Sequence, residues 1–358
     1  MAVDLGASSG RVVAGLYDGS RLQIEEVHRF STLPVEVAGS LRLDFDAFLA
    51  EICTGIAAAV DSSEILSKMG IPGRLFGDIA KPPSILGNVN EQLLPGGGGP
   101  VRLVAVGSHD TASAIAAAPI KDKTAAFISL GTWAIHGCEI TEPVITDAGF
   151  AAGLQNNAVM GGAVALVRNR VGMWMLEECR RGWREGGLDY GFADLTELAS
   201  ASPPFTAVLK ADAPEFFAAG EMQSRIVKHC EETGQVGPAD VGETVRTILE
   251  SLALSYRENL ELLAVTTGRQ FSCLHVVGGG SRNELLDQFI ADACGISVIA
   301  GPYEATSAGS ILAQLMADGE VASLEEGRNL ISRSWPVKTY EPRDRSPWDE
   351  GYLRLQKL

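Results

Sequence analysis

The sequence predicts a two-domain α/β protein, and three observations predict it. At 358 residues, with 46% hydrophobic and 21% charged, the chain is long enough for two cores and apolar enough to fill them. Its 40 glycines point to many tight turns between short elements. A unit of strand, Leu-Gly, small residue and strand occurs near the start of each half, as Asp4-Leu5-Gly6-Ala7-Ser8-Ser9 and as Ser129-Leu130-Gly131-Thr132-Trp133. A repeated unit implies two related domains facing one another across a cleft.

Strands are expected at Ala2–Val3, Arg11–Tyr17 and Arg21–Phe30, the last two joined by Asp18-Gly19, whose residues tolerate positive φ. From Asp46 to Val60 the spacing of Phe48, Leu49, Ile52, Ile56 and Val60 draws one buried helical stripe, and a second helical stretch around Ile65–Met69 follows directly. Lys81-Pro82-Pro83 and the glycine-rich run from Pro95 to Pro100 read as loop. Val101–Val106 is a continuous apolar strand ending at Gly107-Ser108-His109-Asp110, and Thr111–Ala118 is a helix of small residues. Past Pro119, Thr124–Leu130 and Trp133–Cys138 are strands on either side of Gly131-Thr132. Val164–Arg181 reads as a helix and Val241–Thr266 as a long amphipathic one. Cys273–Val277 is a buried strand running into three glycines, followed by helix Asn283–Cys294, strand Ser297–Ala300 and helix Ala305–Met316. The Pro-rich, charged tail from Ser334 onward is expected to be extended.

Composition excludes several classes. With 29 basic and 45 acidic residues the net charge is −16, so nucleic acid and anionic membrane are not expected partners, because counterion release needs clustered Lys and Arg. No apolar run approaches the ~18 residues that cross a bilayer. No basic-then-apolar leader opens the sequence, so a cytoplasmic location is expected. Cys53, Cys138, Cys179, Cys230, Cys273 and Cys294 are scattered without a CxxC pair, as small buried hydrophobes in a reducing compartment would be. His28, His109, His136, His229 and His275 lack metal-ligand spacing, and His28, His136 and His275 fall in strand-like runs. Neither GxSxG nor HExxH occurs, which removes the hydrolases that use them.

Four segments have residues suited to chemistry. In Asp4-Leu5-Gly6-Ala7-Ser8-Ser9-Gly10-Arg11 the two glycines allow a sharp turn that exposes N–H groups, and the serines add hydroxyls, making an anion receptor. Asp4 beside it suits a water-bound Mg²⁺; the alternative is an ordinary hairpin with a solvated Asp4. Asp110, where a buried strand gives way to a helix, is placed either to accept a proton from a substrate hydroxyl or to cap the helix. Gly278-Gly279-Gly280-Ser281-Arg282-Asn283 allows a ring or a phosphate close to the backbone, without matching GxGxxG or a Walker A loop. Arg168-Asn169-Arg170 would put two cations and an amide on one helical turn, for phosphate and sugar hydroxyls or simply for solvent.

Taken in order, AVDLGASSGR (Ala2–Arg11), VAVGSHDTASA (Val104–Ala114), SLGTW (Ser129–Trp133), RNRVGMW (Arg168–Trp174), HVVGGGSRN (His275–Asn283), ADACG (Ala291–Gly295) and GPYEATSAG (Gly301–Gly309) resemble the FGGY carbohydrate kinases. The resemblance implies two ribonuclease-H-like, actin-like ATPase domains around a nucleotide cleft. It implies residues 1–118 as an N-terminal domain, shortened after Val60, 119–345 as the nucleotide-binding domain and 346–358 as a tail. The implied reaction is ATP- and Mg²⁺-dependent phosphorylation of a ketose, L-rhamnulose, at its 1-hydroxyl. The alternative is an internally deleted relative that binds nucleotide without turning over sugar.

Carried over by position, the resemblance makes Asp110 the catalytic base, with His109 and Thr111 beside it on the ketose and Asn169 on the sugar. Ala7, Ser8, Ser9, Gly10 and Arg11 match the first phosphate loop, Thr132 the threonine of the second, and Gly279 a nucleotide-contacting glycine. Glu177 stands where relatives carry a nucleotide-contacting glutamine; a carboxylate only accepts, whereas an amide also donates. The family has a further strand and a Trp-Gly sugar motif after the position of Val60, and this sequence passes directly to Asp61. In a sheet ordered 3-2-1-4-5 that strand is number 4, between the first strand and Val101–Val106. The sequence leaves the oligomeric state open.

Overall fold

A computed structural model describes the backbone of residues 2–5, 9–31, 35–37, 40–42, 80–89 and 100–358, and the side chains of 13–26, 80–89 and 100–358. The helix expected at Asp46–Val60, the stretch Ile65–Met69, the junction after Val60, Pro95–Gly99, Cys53 and Gly6-Ala7-Ser8 lie outside the described residues. The chain begins with β1 (Ala2–Leu5), β2 (Ser9–Tyr17), β3 (Leu22–Ser31), β4 (Val35–Val37), β5 (Ser40–Arg42), β6 (Ser84–Asn88), β7 (Arg102–Ala105) and α1 (Asp110–Ala117). There follow β8 (Ala125–Leu130), β9 (Trp133–Ile140), α2 (Asp147–Ala151), β10 (Gln155–Ala158), β11 (Val164–Val171), α3 (Trp174–Glu185), α4 (Phe192–Ala201), α5 (Met222–Glu232) and α6 (Val241–Thr267). The last elements are β12 (Cys273–Val277), α7 (Glu284–Cys294), β13 (Ser297–Ala300), α8 (Ala305–Ala317), α9 (Leu324–Ser334), β14 (Lys338–Tyr340) and α10 (Ser346–Leu355). Among the described residues no helix is long and apolar enough to cross a membrane.

One compact unit comprises Met1–Ala116, Val159–Gly162 and Thr306–Leu330. Its antiparallel sheet has the order β1-β2-β3. The Asp18-Gly19 turn closes as expected, with Asp18 Oδ1 accepting the N–H groups of Ser20 and Arg21 at 2.8 Å. β7 pairs with β6 in a separate two-stranded ladder. Among the described residues β1 bonds only to β2, and no strand links β1 to β7, the place that strand 4 holds in the expected order. α1 and α8 pack nearly backbone to backbone, which explains their small residues. A Cβ on Gly309 would overlap the Ser113 carbonyl, and Ser310 Oγ reaches Ser113 Oγ at 3.3 Å.

The other unit comprises Ala117–Ala158, Ala163–Ala305 and Ile331–Leu358. Its seven strands run β10-β11-β9-β8-β12-β13-β14, with β8, β12 and β13 parallel. Read from β11, the order β11-β9-β8-β12-β13 is the expected 3-2-1-4-5, and β3-β2-β1 of the first unit repeats its opening three strands. α6 supplies the largest buried stripe, including Ile248, Leu252 and Tyr256, each fully buried. Asp240 caps its start by accepting the Glu243 N–H at 2.8 Å, and Gly268 ends it at φ 66°. Cys138, Cys179, Cys230 and Cys294 are buried and unpaired, Cys273 partly so, and His136 and His275 are 3% exposed.

Two expectations are corrected. Val164–Arg181 is not one helix: Val164–Val171 is strand β11, paired with β9 from Val164↔Ile140 to Val171↔Trp133, and the helix starts only at Trp174. An apolar run of this kind suits a buried strand as well as a helix, and here β9 and β10 supply backbone partners on both sides. The segment from Ser334 is not an extended tail: it forms β14 and α10. Trp348, Tyr352 and Leu355 fall on one helical face, and Trp348 packs between the rings of Phe205 and Phe289 at 5.0 and 5.2 Å.

Candidate functional site

In the first unit, the connection from β7 into α1 is held tightly. Ser113 Oγ donates to the Gly107 carbonyl at 3.1 Å, and a Cβ on Gly107 would lie 2.9 Å from the Ser113 nitrogen. Asp110 is the first helical residue, and its side chain is 45% exposed. Its Oδ1 accepts the Thr111 N–H at 2.6 Å, sits 3.3 Å from Thr111 Oγ1 and lies 2.8 Å from His109 Nδ1. An N-cap would instead accept an N–H two or three residues further on, so the capping alternative does not describe this carboxylate. Burial alone would raise the Asp110 pKa, but His109 and the Thr111 N–H and hydroxyl outweigh it and hold the carboxyl below its ordinary range. The group is therefore an anion at neutral pH. All of its hydrogen bonds among the described residues converge on Oδ1, so Oδ2 of this 45% exposed side chain has no partner among them and keeps its capacity to accept. Thr111 is 4% exposed and turned toward Asp110, whereas the His109 side chain is 65% exposed.

In the second unit, two loops meet at the carboxyl ends of the neighbouring parallel strands β8 and β12, where open α/β sheets bind ligands. The first is the turn Gly131-Thr132. Its carbonyls are tied inward: Met173 N–H donates to Gly131 at 2.9 Å, and Gly172 and Trp174 N–H donate to Thr132 at 3.2 and 3.1 Å. Gly172 must be glycine, because a Cβ there would overlap the Gly131 carbonyl. The Thr132 N–H and hydroxyl bond to nothing among the described residues, so they remain as donors. The second loop follows β12. Gly278 has φ 89°, and a Cβ on it would come 2.9 Å from the Leu130 carbonyl oxygen. A Cβ on Gly280 would overlap the Leu130 side chain, yet one on Gly279 would meet no atom within 4 Å. Two of the three glycines are thus required by packing; the middle one leaves bare backbone at the surface.

The remaining expected residues are dispersed. Asn169 lies on β11 opposite Ile135, exposed, with Arg168 and Arg170 on the other face. Arg170 is no phosphate ligand: it is 7% exposed and bonds Asp212 at 2.7 Å and Glu258 at 2.6 Å. Glu177 lies in the first turn of α3, which starts at Trp174; burial raises its pKa, against Arg180 and Arg184. Asp4 and Ser9, Gly10 and Arg11 belong to the β1–β2 ladder, where Asp4 pairs with Arg11 and Leu5 with Gly10. Their side chains, and all of Ala7 and Ser8, lie outside the described residues. The first unit thus carries Asp4, Ser9–Arg11 and His109–Thr111, and the second carries Thr132, Asn169, Glu177 and Gly279. Sequence reasoning missed the amide clasp of Gly172, Met173 and Trp174; the available signal was the glycine in Val171-Gly172-Met173-Trp174.

A sheet of this order with glycine loops at its strand ends defines an actin-like ATPase fold, and known proteins narrow the class. The FGGY family of carbohydrate kinases, C-terminal domain, matches residues 126–317, more than half of the sequence, and the chain belongs to that family. It is 40% identical over 294 residues to the rhamnulokinase of Bacteroides thetaiotaomicron, a match covering 82% of this chain and 60% of that one. To the rhamnulokinase of Enterococcus faecalis it is 36% identical over 282 residues, covering 78% and 56%. The chain thus spans less than two thirds of the length of these curated relatives. In fold it is similar to ligand-bound xylulose kinase from Lactobacillus acidophilus, with a TM-score of 0.60 at 15% identity, covering 82% of this chain and 58% of the other. It is likewise similar to Plasmodium falciparum glycerol kinase with ADP, with a TM-score of 0.57 at 17% identity, covering 79% and 56%.

Proposed function

We propose that this chain is an ATP-dependent sugar kinase acting on a ketose, with L-rhamnulose phosphorylated at its 1-hydroxyl. The observation that carries the reading is Asp110, an ionised carboxylate whose Oδ1 is anchored and whose Oδ2 bonds to nothing among the described residues. In this reading Oδ2 accepts a hydrogen bond from the sugar hydroxyl. It takes the proton as the new O–P bond forms and the bond between the γ-phosphorus and the bridging oxygen breaks, releasing ADP. His109 and Thr111 hold the carboxylate in place, and Asn169 binds the sugar. In the same reading the Thr132 N–H and hydroxyl, the bare backbone of Gly279 and Glu177 take nucleotide, and Ala7, Ser8, Ser9, Gly10 and Arg11 are assigned to its phosphates by the resemblance. Such transfers depend on positioning and charge, with little covalent chemistry left to the protein.

Mg²⁺ is bound through one or two carboxylates and the substrate's phosphates rather than by a protein cage. Asp4, beside the turn that joins β1 to β2, is the residue this reading assigns to it, through water. There the ion would offset charge on the β- and γ-phosphates.

A second reading, in which nucleotide binds without sugar turnover, is favoured by one observation: among the described residues β1 and β7 share no sheet. The experiment that tests both is calorimetric MgATP binding together with L-rhamnulose-dependent ADP release. Sugar-dependent release that drops by ~10²-fold or more in Asp110→Asn, with MgATP affinity unchanged, supports the kinase. Binding without sugar-dependent release supports the second reading, and absence of MgATP binding overturns both.

A further inference from the structure

The backbone left bare at Gly279 has a specific neighbour. Residues Gly279–Arg282 form one 3₁₀ turn. In a 3₁₀ turn, positions three apart eclipse, so Arg282 and the uncovered Gly279 fall on the same side of the turn. Its guanidinium lies over the Tyr303 ring, 5.1 Å from the centroid, and its Nη2 is 3.5 Å from Glu304 Oε1. The loop bearing Tyr303 is fixed to the glycine loop, since Gly278 N–H donates to the Pro302 carbonyl at 3.2 Å. Arg282 nevertheless remains 64% exposed and Tyr303 39% exposed.

We propose that Arg282 and Tyr303 seat the base of the nucleotide, with the purine stacked on the outer face of the Arg282 guanidinium. The inference rests on the nucleotide reading above and deepens it by naming the residues that recognise the base. Guanidinium is planar, delocalised and weakly hydrated, so a face not covered by one ring attracts another π-system. Tyr303 covers one face, and with 64% of the Arg282 side chain exposed the other is left to solvent, on the same turn as the bare backbone of Gly279. Glu304 sets the local charge close to neutral, which favours a neutral aromatic ring over an additional phosphate.

The test is calorimetry on the whole chain with two probes, MgATP and Mg-tripolyphosphate, which has the phosphates and no base. The variants are Arg282→Ala, Arg282→Lys and Tyr303→Leu, each checked for an unchanged thermal midpoint. Arg282→Ala is expected to weaken MgATP by roughly 5- to 30-fold and leave tripolyphosphate unchanged. Arg282→Lys fails to restore the affinity, because an ammonium has no face to stack on, and Tyr303→Leu gives a smaller loss in MgATP alone. Equal losses for both probes, or full rescue by lysine, would show a phosphate contact and overturn the stacking role. Unchanged MgATP affinity in Arg282→Ala overturns this inference while the nucleotide reading stands. A parent chain that binds neither probe overturns both.

Discussion

Asp287, on α7, offers a sharp test of how the second unit holds together. It is fully buried, and neither carboxyl oxygen has a hydrogen-bond partner among the described residues. Burial pushes its pKa from 3.8 up to about 8, with Glu284 adding to the rise and Lys338 opposing it. The folded chain therefore keeps a proton that the unfolded chain releases above its ordinary pKa. Stability is lost as pH rises from the unfolded value toward the folded one, at ~1.4 kcal/mol per pH unit for one proton. Asp287→Asn keeps the shape and removes the titration. The variant should match the parent near the ordinary carboxylate pKa and exceed it by ~3 kcal/mol two pH units higher. Because each kcal/mol shifts the midpoint of a unit this size by ~2–4 °C, the gap in melting temperature should widen by ~3–5 °C per pH unit. Thermal unfolding of both proteins, followed by circular dichroism across that range, reads it directly. A gap that does not change with pH would mean that Asp287 is ionised or paired in the folded state, and the argument would be wrong.

Other substitutions probe the packing. Gly309→Val drives a side chain into the Ser113 carbonyl, so the helix pair α1–α8 must separate. The first unit should lose ~3 kcal/mol or more, seen as faster proteolysis around α1, while the second unit's melting transition stays in place. Trp348→Ala removes the ring between Phe205 and Phe289. It should cost ~3–5 kcal/mol in the second unit, measurable by denaturant midpoint; a loss under ~1 kcal/mol would mean that α10 is not part of the core.

The legible parts of the fold were those encoded locally. Asp18-Gly19, the Gly131-Thr132 turn, helix Val241–Thr267 and strand Cys273–Val277 carry their signals within a few residues, and each forms. The same holds at the site for Asp110, whose partners are its immediate neighbours. What sequence could not show depends on distant partners. Val164–Val171 becomes a strand because β9 and β10 flank it. Arg170 is claimed by Asp212 and Glu258, 42 and 88 residues away. The helical tail likewise rests on remote anchors, with Arg257 holding Asp349 at 2.6 Å and Tyr352 donating to Glu261 at 2.8 Å. Proline and charge dominate its composition and mask the spacing of Trp348, Tyr352 and Leu355 beneath them.

The clasp at Gly131-Thr132 ties a loop and a helix to one small turn. Three successive amides, from Gly172 to Trp174, hang on its two carbonyls, and Trp174 in turn secures the Phe216 carbonyl through its indole N–H at 2.9 Å. Whatever draws the Thr132 amide outward must strain those bonds in the same stroke. The opening turn of α3, with Glu177 on it, is thereby coupled to the hairpin through backbone alone, and the Phe216 segment is coupled to α3 through a single indole.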